Sequence, residues 1–170
     1  MKICMKFFAA VLLGISMIAA VGCGTVEHKL SFQNNYTPTQ GTKVEVGKVV
    51  NETGQTFDID IEKMFADAIT EALQDEKLIY TDSEGHKLVL TSNIIEYTKG
   101  DAFKRWLMPG WGSTKLSIRC DLKDGDKVVG SADAKRTVDA GGGYTVGAWK
   151  TIFASISKDV VKDLKKQIRE

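Results

Sequence analysis

The stretch Thr-Lys-Leu-Ser-Ile-Arg-Cys-Asp-Leu-Lys-Asp-Gly-Asp-Lys-Val-Val-Gly-Ser-Ala-Asp-Ala-Lys-Arg-Thr-Val (Thr114–Val138) decides the fold. Leu116, Ile118, Cys120 and Leu122 fall on alternate positions, so they share one face of a strand from Thr114 to Leu122. Asp124-Gly125 is a strong hairpin signal, and Lys127 to Val138 forms the returning strand. Two antiparallel strands with one apolar face need a layer to cover that face. On that face Cys120 is a small core hydrophobe, not a nucleophile.

The segments on either side supply the layer. Lys87 to Tyr97 is a third strand, with Val89, Thr91, Ile95 and Tyr97 on one face and Leu88, Leu90 and Ile94 on the other. Apolar residues on both faces mark an inner strand. Upstream of it, Ile61, Phe65, Ala68, Ala72 and Leu73 recur at helical spacing, in a helix opened by Asp58 or Asp60 and running to about Lys77. Thr42 to Asn51 is β-branched and reads as a strand, closed by the Asn51-Glu52-Thr53-Gly54 turn. Beyond Gly141-Gly142-Gly143, a last helix from about Thr145 to Ile168 carries the stripe Trp149, Ile152, Phe153, Ile156, Val160, Leu164 and Ile168. Lys162, Lys165, Lys166 and Arg169 near its end suit the negative pole of a helix. The order is β-α-β-β-β-α, which predicts an α+β fold: a mostly antiparallel sheet with two helices on one face.

The first residues carry an address. Lys2 and Lys6 precede an uncharged run from Phe7 to Val21, which ends in Ala20-Val21-Gly22-Cys23. A basic start, an apolar stretch and small residues before a cut form a secretory signal, too short to span a bilayer. The tetrapeptide resembles the lipobox of bacterial lipoproteins. That likeness implies cleavage before Cys23, a diacylglyceryl thioether on its sulfur and an acyl group on its nitrogen. One chain holds a protein only marginally and two or more hold it stably. Gly24 follows, not the Asp that favours inner-membrane retention in enterobacteria-like sorting, so the expected location is the outer membrane, facing the periplasm. The expected organisation is a signal peptide at 1–22, the lipidated cysteine and a polar tether at 23–41, and a single α+β domain at 42–170. Within the tether Val26, His28, Leu30 and Phe32 alternate, as a short extended piece would.

Composition excludes several functions. Removing 22 of the 170 residues leaves 148, enough for one domain with a real core and no disulfide staples. Losing Lys2 and Lys6 takes the basic count from 23 to 21 against 22 acidic residues, so no basic field invites nucleic acid. With Cys4 removed and Cys23 acylated, Cys120 has no partner for a disulfide. His28 and His86 lie far apart and read as solvated, without the spacing of a zinc pair or a triad. Asp58, Asp60 and Glu62 suit a helix start, and Asp121, Asp124 and Asp126 suit a turn; neither set has the ligand pattern of a calcium loop. Gly142 and Gly147 have the gap of a phosphate loop, but Ala148 and Trp149 interrupt it before Lys150-Thr151, so a hinge is expected. No nucleophile, base and orienter can be named together, so no catalytic residues, metal or cofactor are assigned and the chain is expected not to be an enzyme.

The segment Gly100-Asp-Ala-Phe-Lys-Arg-Trp-Leu-Met-Pro-Gly-Trp-Gly-Ser-Thr114 holds two of the three tryptophans beside Lys104 and Arg105. Pro109-Gly110 suits a type II turn. Its aromatics either fold back as a lid on the edge of the core or stand out as a platform for a partner or for lipid headgroups. On the second alternative Phe103, Lys104, Arg105, Trp106 and Trp111 are the candidate partner-binding residues. This segment, with the strand after it, resembles a bacterial family of envelope lipoproteins classed as a domain of unknown function. The resemblance implies a fold similar to the small α+β lipoprotein domains of the curli-secretion and Tol-associated types. It brings no activity and no catalytic residues. The expected function is therefore a non-enzymatic envelope lipoprotein, held in the membrane through Cys23, that binds an envelope protein for assembly or maintenance. The alternative is a lipid or small-ligand binder with a pocket near Trp149 and Phe153.

Overall fold

The hairpin lies at the centre of the sheet. In a computed structural model describing residues 26–33, 36–81, 85–141 and 145–169, the elements are β1 (Val26–Phe32), β2 (Lys43–Asn51), α1 (Ile61–Asp75), β3 (Lys87–Thr98), α2 (Ala102–Leu107), β4 (Thr114–Asp124), β5 (Lys127–Val138) and α3 (Ala148–Arg169). Strand order in the sheet is β1-β5-β4-β3-β2. The β4–β5 pair closes at Asp124↔Lys127, so Gly125 and Asp126 form the two-residue turn, one position later than the Asp-Gly signal implies. Both α1 and α3 contact the sheet and each other.

Three features depart from the expected order. First, Val26–Phe32 is a full edge strand, antiparallel to β5 from Val26↔Arg136 to Phe32↔Gly130. The tether boundary at residue 41 is therefore corrected: the domain begins by Val26. Leu30 is buried, His28 pairs with Asp163 of α3, and Gln167 donates to the Leu30 carbonyl at 2.9 Å, so the alternation seen at 26–32 has a core side. Second, β2 runs parallel to β3, because α1 carries the chain back across the sheet between them. Third, the Gly100–Thr114 segment contains a short helix of its own, α2.

One face of the sheet is apolar and covered. Leu88, Leu90 and Ile94 of β3, Leu116, Ile118, Cys120 and Leu122 of β4, and Val129, Ala132 and Ala134 of β5 meet Phe65, Ile69 and Leu73 of α1 and Ile152, Phe153, Ile156, Val160 and Leu164 of α3. A register shift between Ile94 and Glu96 adds a residue to β3. A bulge of this kind reverses the in–out alternation beyond it. Tyr97 is thereby buried with Leu88 and Leu90, not on the Val89 face assigned from alternation, and Ile95 is left exposed. The opposite face carries charges in cross-strand pairs, such as Arg119–Asp133 at 2.9 Å. An open hollow of about 390 Å³ there is lined by Glu27, Lys29, Ile95, Arg119 and Lys135 among others.

Local signals behave as their chemistry requires. Asp60, not Asp58, caps α1, accepting from the Lys63 amide at 2.8 Å. Asp58 instead pairs with Lys99 at 3.0 Å, and that contact holds its carboxyl below the usual range. Cys120 is fully buried, and desolvation pushes its thiol up to about 12. The histidines are not simply solvated: His28 meets Asp163, and His86 Nε2 lies 3.1 Å from Asp124 Oδ2. Tyr36 donates to the same Asp124 at 2.9 Å, so this carboxylate ties three segments at the turn end of the sheet.

Candidate functional site

The link between β3 and β4 is built from its base outward. Asp101 N donates to the Gly112 carbonyl at 2.8 Å, which closes the segment on itself. Two glycines permit this closure. Gly100 has φ +68° and Gly112 φ +76°, and a Cβ at Gly112 would lie 2.8 Å from the Asp101 carbonyl oxygen. The Asp101 carboxylate then caps α2, accepting from Phe103 N at 2.9 Å and Lys104 N at 3.1 Å. Beyond α2, Trp111 N donates to Met108 O at 3.0 Å across Pro109-Gly110, with Gly110 at φ +84°. This is the type II turn the sequence predicts. Gly110 N bonds to Asp139 O at 2.8 Å, fastening the segment to the end of β5.

Arg105 is the inner pin. Phe103, Trp106 and Leu107 are spaced i, i+3, i+4 on one side of α2, while Arg105 projects from the other. The Arg105 residue is only 3% exposed. Its Nη1 donates to Gly112 O at 2.7 Å and Thr114 Oγ1 at 2.9 Å, and its Nη2 donates to Thr145 O at 3.0 Å. One guanidinium therefore joins the base of the segment, the start of β4 and the approach to α3. Burial lowers its proton affinity, and nearby Asp101 opposes that shift. Its place among the candidate partner-binding residues is corrected: Arg105 holds the surface in position and does not present itself.

The remaining candidates do face outward. Trp106 is 65% exposed, and Phe103, Lys104 and Trp111 are also exposed. The lid alternative fails here, because the pinned base keeps these rings off the core. The Phe103 and Trp106 ring centroids are 5.9 Å apart, and Lys104 Nζ lies 5.6 Å from the centre of the Trp111 ring. Leu107, Met108 and Val146 extend the apolar surface, and Val146 is adjacent to the Thr145 that Arg105 holds. Sequence reasoning missed Val146; the Arg105–Thr145 bond, made across 40 residues, brings its neighbour to this segment, the tip of the domain. Just below, Lys99 and Lys150 each place Nζ 4.9 Å from the centre of the Trp149 ring.

Near Trp149 and Phe153, the place expected to hold a ligand on the alternative reading, the described aromatic side chains pack on one another. Phe153 is buried with its ring 5.3 Å from Tyr97, Phe57 meets Tyr97 edge-on at 5.1 Å, and the Tyr97 hydroxyl donates to Trp149 O at 3.3 Å. Cys23 and the signal segment lie outside the described residues. No group of three or more metal-ligating side chains occurs among the described residues, and none of their helices is long and apolar enough to cross a membrane.

Fold and tip together define a small α+β domain, two helices over a five-stranded sheet, with exposed aromatic side chains at one end. Within that class, residues 40–142 match the family described as "Domain of unknown function (DUF4410)", and the chain belongs to it. The match runs from just before β2 to just after β5 and so includes the Gly100–Thr114 segment. The fold is similar to that of a PelC dodecamer from Paraburkholderia phytofirmans, at 17% identity and a TM-score of 0.59, over 86% of this chain and 100% of that one. It is similar also to a point-substituted PelC dodecamer from the same organism, at 20% identity and a TM-score of 0.55, over 86% and 99% of the two chains. At these identities the likeness is one of fold. No curated protein sequence matches the chain.

Proposed function

We propose that this protein is a non-enzymatic envelope lipoprotein. It is anchored through acyl chains on Cys23 in the outer membrane, faces the periplasm, and serves assembly or maintenance of the envelope by binding a protein partner. The observation that carries this reading is the tip: exposed aromatic side chains on a capped turn whose base is tied by Arg105 and closed at two glycines. Large aromatics fixed in place lose little entropy on contact, and Trp is enriched where contacts contribute most. A domain that keeps them exposed uses them for contact.

Photo-crosslinking in living cells tests this reading, with the probe at Trp106, Trp111 or Ile95; Ile95 samples the uncovered sheet face. A discrete protein adduct from any position supports a binding module and names its partner. Folded, lipidated protein that gives no protein adduct from all three would remove the protein-binding function.

A further inference from the structure

The aromatic tip and the start of β1 lie at the same end of the sheet. Val26 pairs with Arg136, two residues before β5 ends at Val138, and the β5 end is bonded to the tip through Gly110 N and Asp139 O. β4 begins at that end too, with Thr114 opposite Val138. Neighbouring strands are about 4.8 Å apart, so β1 starts about 10 Å across the sheet from the base of the tip. Only Gly24 and Thr25 separate Cys23 from β1. Three residue steps reach at most about 10 Å. An acylated Cys23 therefore lets this end of the domain stand no more than about 10 Å from the bilayer.

We infer that the tip itself enters the lipid interface as a second, non-covalent membrane contact. The occupant of the patch is then the bilayer surface, in place of the protein contact proposed above for these rings, and a protein partner is left the uncovered sheet face that Ile95 samples. This rests on the proposal that Cys23 carries acyl chains. Composition supports the choice of lipid. The apex is Phe103, Trp106, Leu107, Met108, Trp111 and Val146, all exposed, and Lys99, Lys104 and Lys150 stand beside the tip tryptophan and Trp149. Tryptophan favours the headgroup level, and lysine beside it favours anionic lipid. Side chains of this kind sink about 5–10 Å into the headgroup boundary. The charged outer sheet face has no such apex.

The full lipidated chain, reconstituted into phosphatidylethanolamine–phosphatidylglycerol vesicles with bromine near the top of the acyl chains, tests this. Two of the three tryptophans are in the tip, so emission should fall by about half or more against unbrominated vesicles. The Trp106→Phe/Trp111→Phe variant keeps Trp149 and should lose most of that quenching. Absence of quenching in the unaltered chain overturns the inference, as does equal quenching in the variant. A protein adduct from a probe at Trp106 without bromine quenching also overturns it, while leaving the tip a contact surface. Mass spectrometry of the N-terminal peptide reads acylation separately. An unacylated Cys23 fails the anchoring proposal on its own.

Discussion

Two clusters of aromatic side chains lie near each other in this domain and meet opposite fates. Phe57, Tyr97 and Phe153 stack into the core. Phe103, Trp106 and Trp111 stand in solvent. Residue type does not separate them; attachment does. The first cluster sits on β3, α3 and the lead into α1, whose apolar faces converge. The second sits on a turn whose inward direction is occupied by a guanidinium. Arg105 takes the position a core residue would fill and satisfies backbone carbonyls there, so the rings beside it have nowhere to go but outward.

The contrast predicts a gradient of effects on stability. Phe153→Ala should be the most damaging, at about 3–5 kcal/mol, read from the midpoint of denaturant unfolding, because it opens a cavity beneath Tyr97. A loss under about 1 kcal/mol would mean the two clusters are less different than their burial indicates. Arg105→Ala should cost about 2–3 kcal/mol, since it removes three hydrogen bonds made by a buried guanidinium. It should also shift the emission of Trp106 and Trp111, which a cavity at Phe153 would not do.

Alkaline pH should weaken the fold through the acids that burial raises, Tyr97 of the buried cluster among them, with Tyr36 acting in the same direction. Burial pushes the Tyr97 phenol up to about 12, so above its ordinary value near 10 the unfolded chain releases a proton the folded chain keeps. Cys120 acts in the same direction from a lower starting point. Stability should fall progressively from about pH 9 upward, and Tyr97→Phe should blunt the fall above about pH 10. Asp101→Ala removes a helix cap and should cost about 1 kcal/mol, with the tip exchanging its amide hydrogens faster than the core does. Trp106→Ala should be the mildest, within about 0.5 kcal/mol of the unaltered protein in thermal melts. A large loss there would place Trp106 with the buried set.

Much of this architecture was legible because it depends on local pattern. The Thr114–Val138 hairpin, both long helices and the Pro109-Gly110 turn follow from alternation, helical spacing and turn chemistry. What was not legible depends on distant partners. Val26–Phe32 alternates visibly, but its strand neighbour lies about a hundred residues away, and the polar run after it resembles a tether. Tyr97 changes face because one added residue at the β3 bulge reverses parity, which no alternation count detects. Arg105 reads as a surface charge until Thr145 O and Gly112 O are known to surround it. Asp101 followed by Ala-Phe-Lys-Arg-Trp-Leu did carry a helix signal, masked by the glycines on both sides.

The placement of β1 has a mechanical meaning. Force arriving through the chain ahead of Val26 runs along the strand axis, parallel to its neighbour β5. The ladder from Val26↔Arg136 to Phe32↔Gly130 is then loaded in shear, so its hydrogen bonds resist together and do not open one at a time. The His28–Asp163 and Gln167–Leu30 contacts pass part of that load to α3. A domain tugged by its N-terminus would hold at the strand that comes first in the chain.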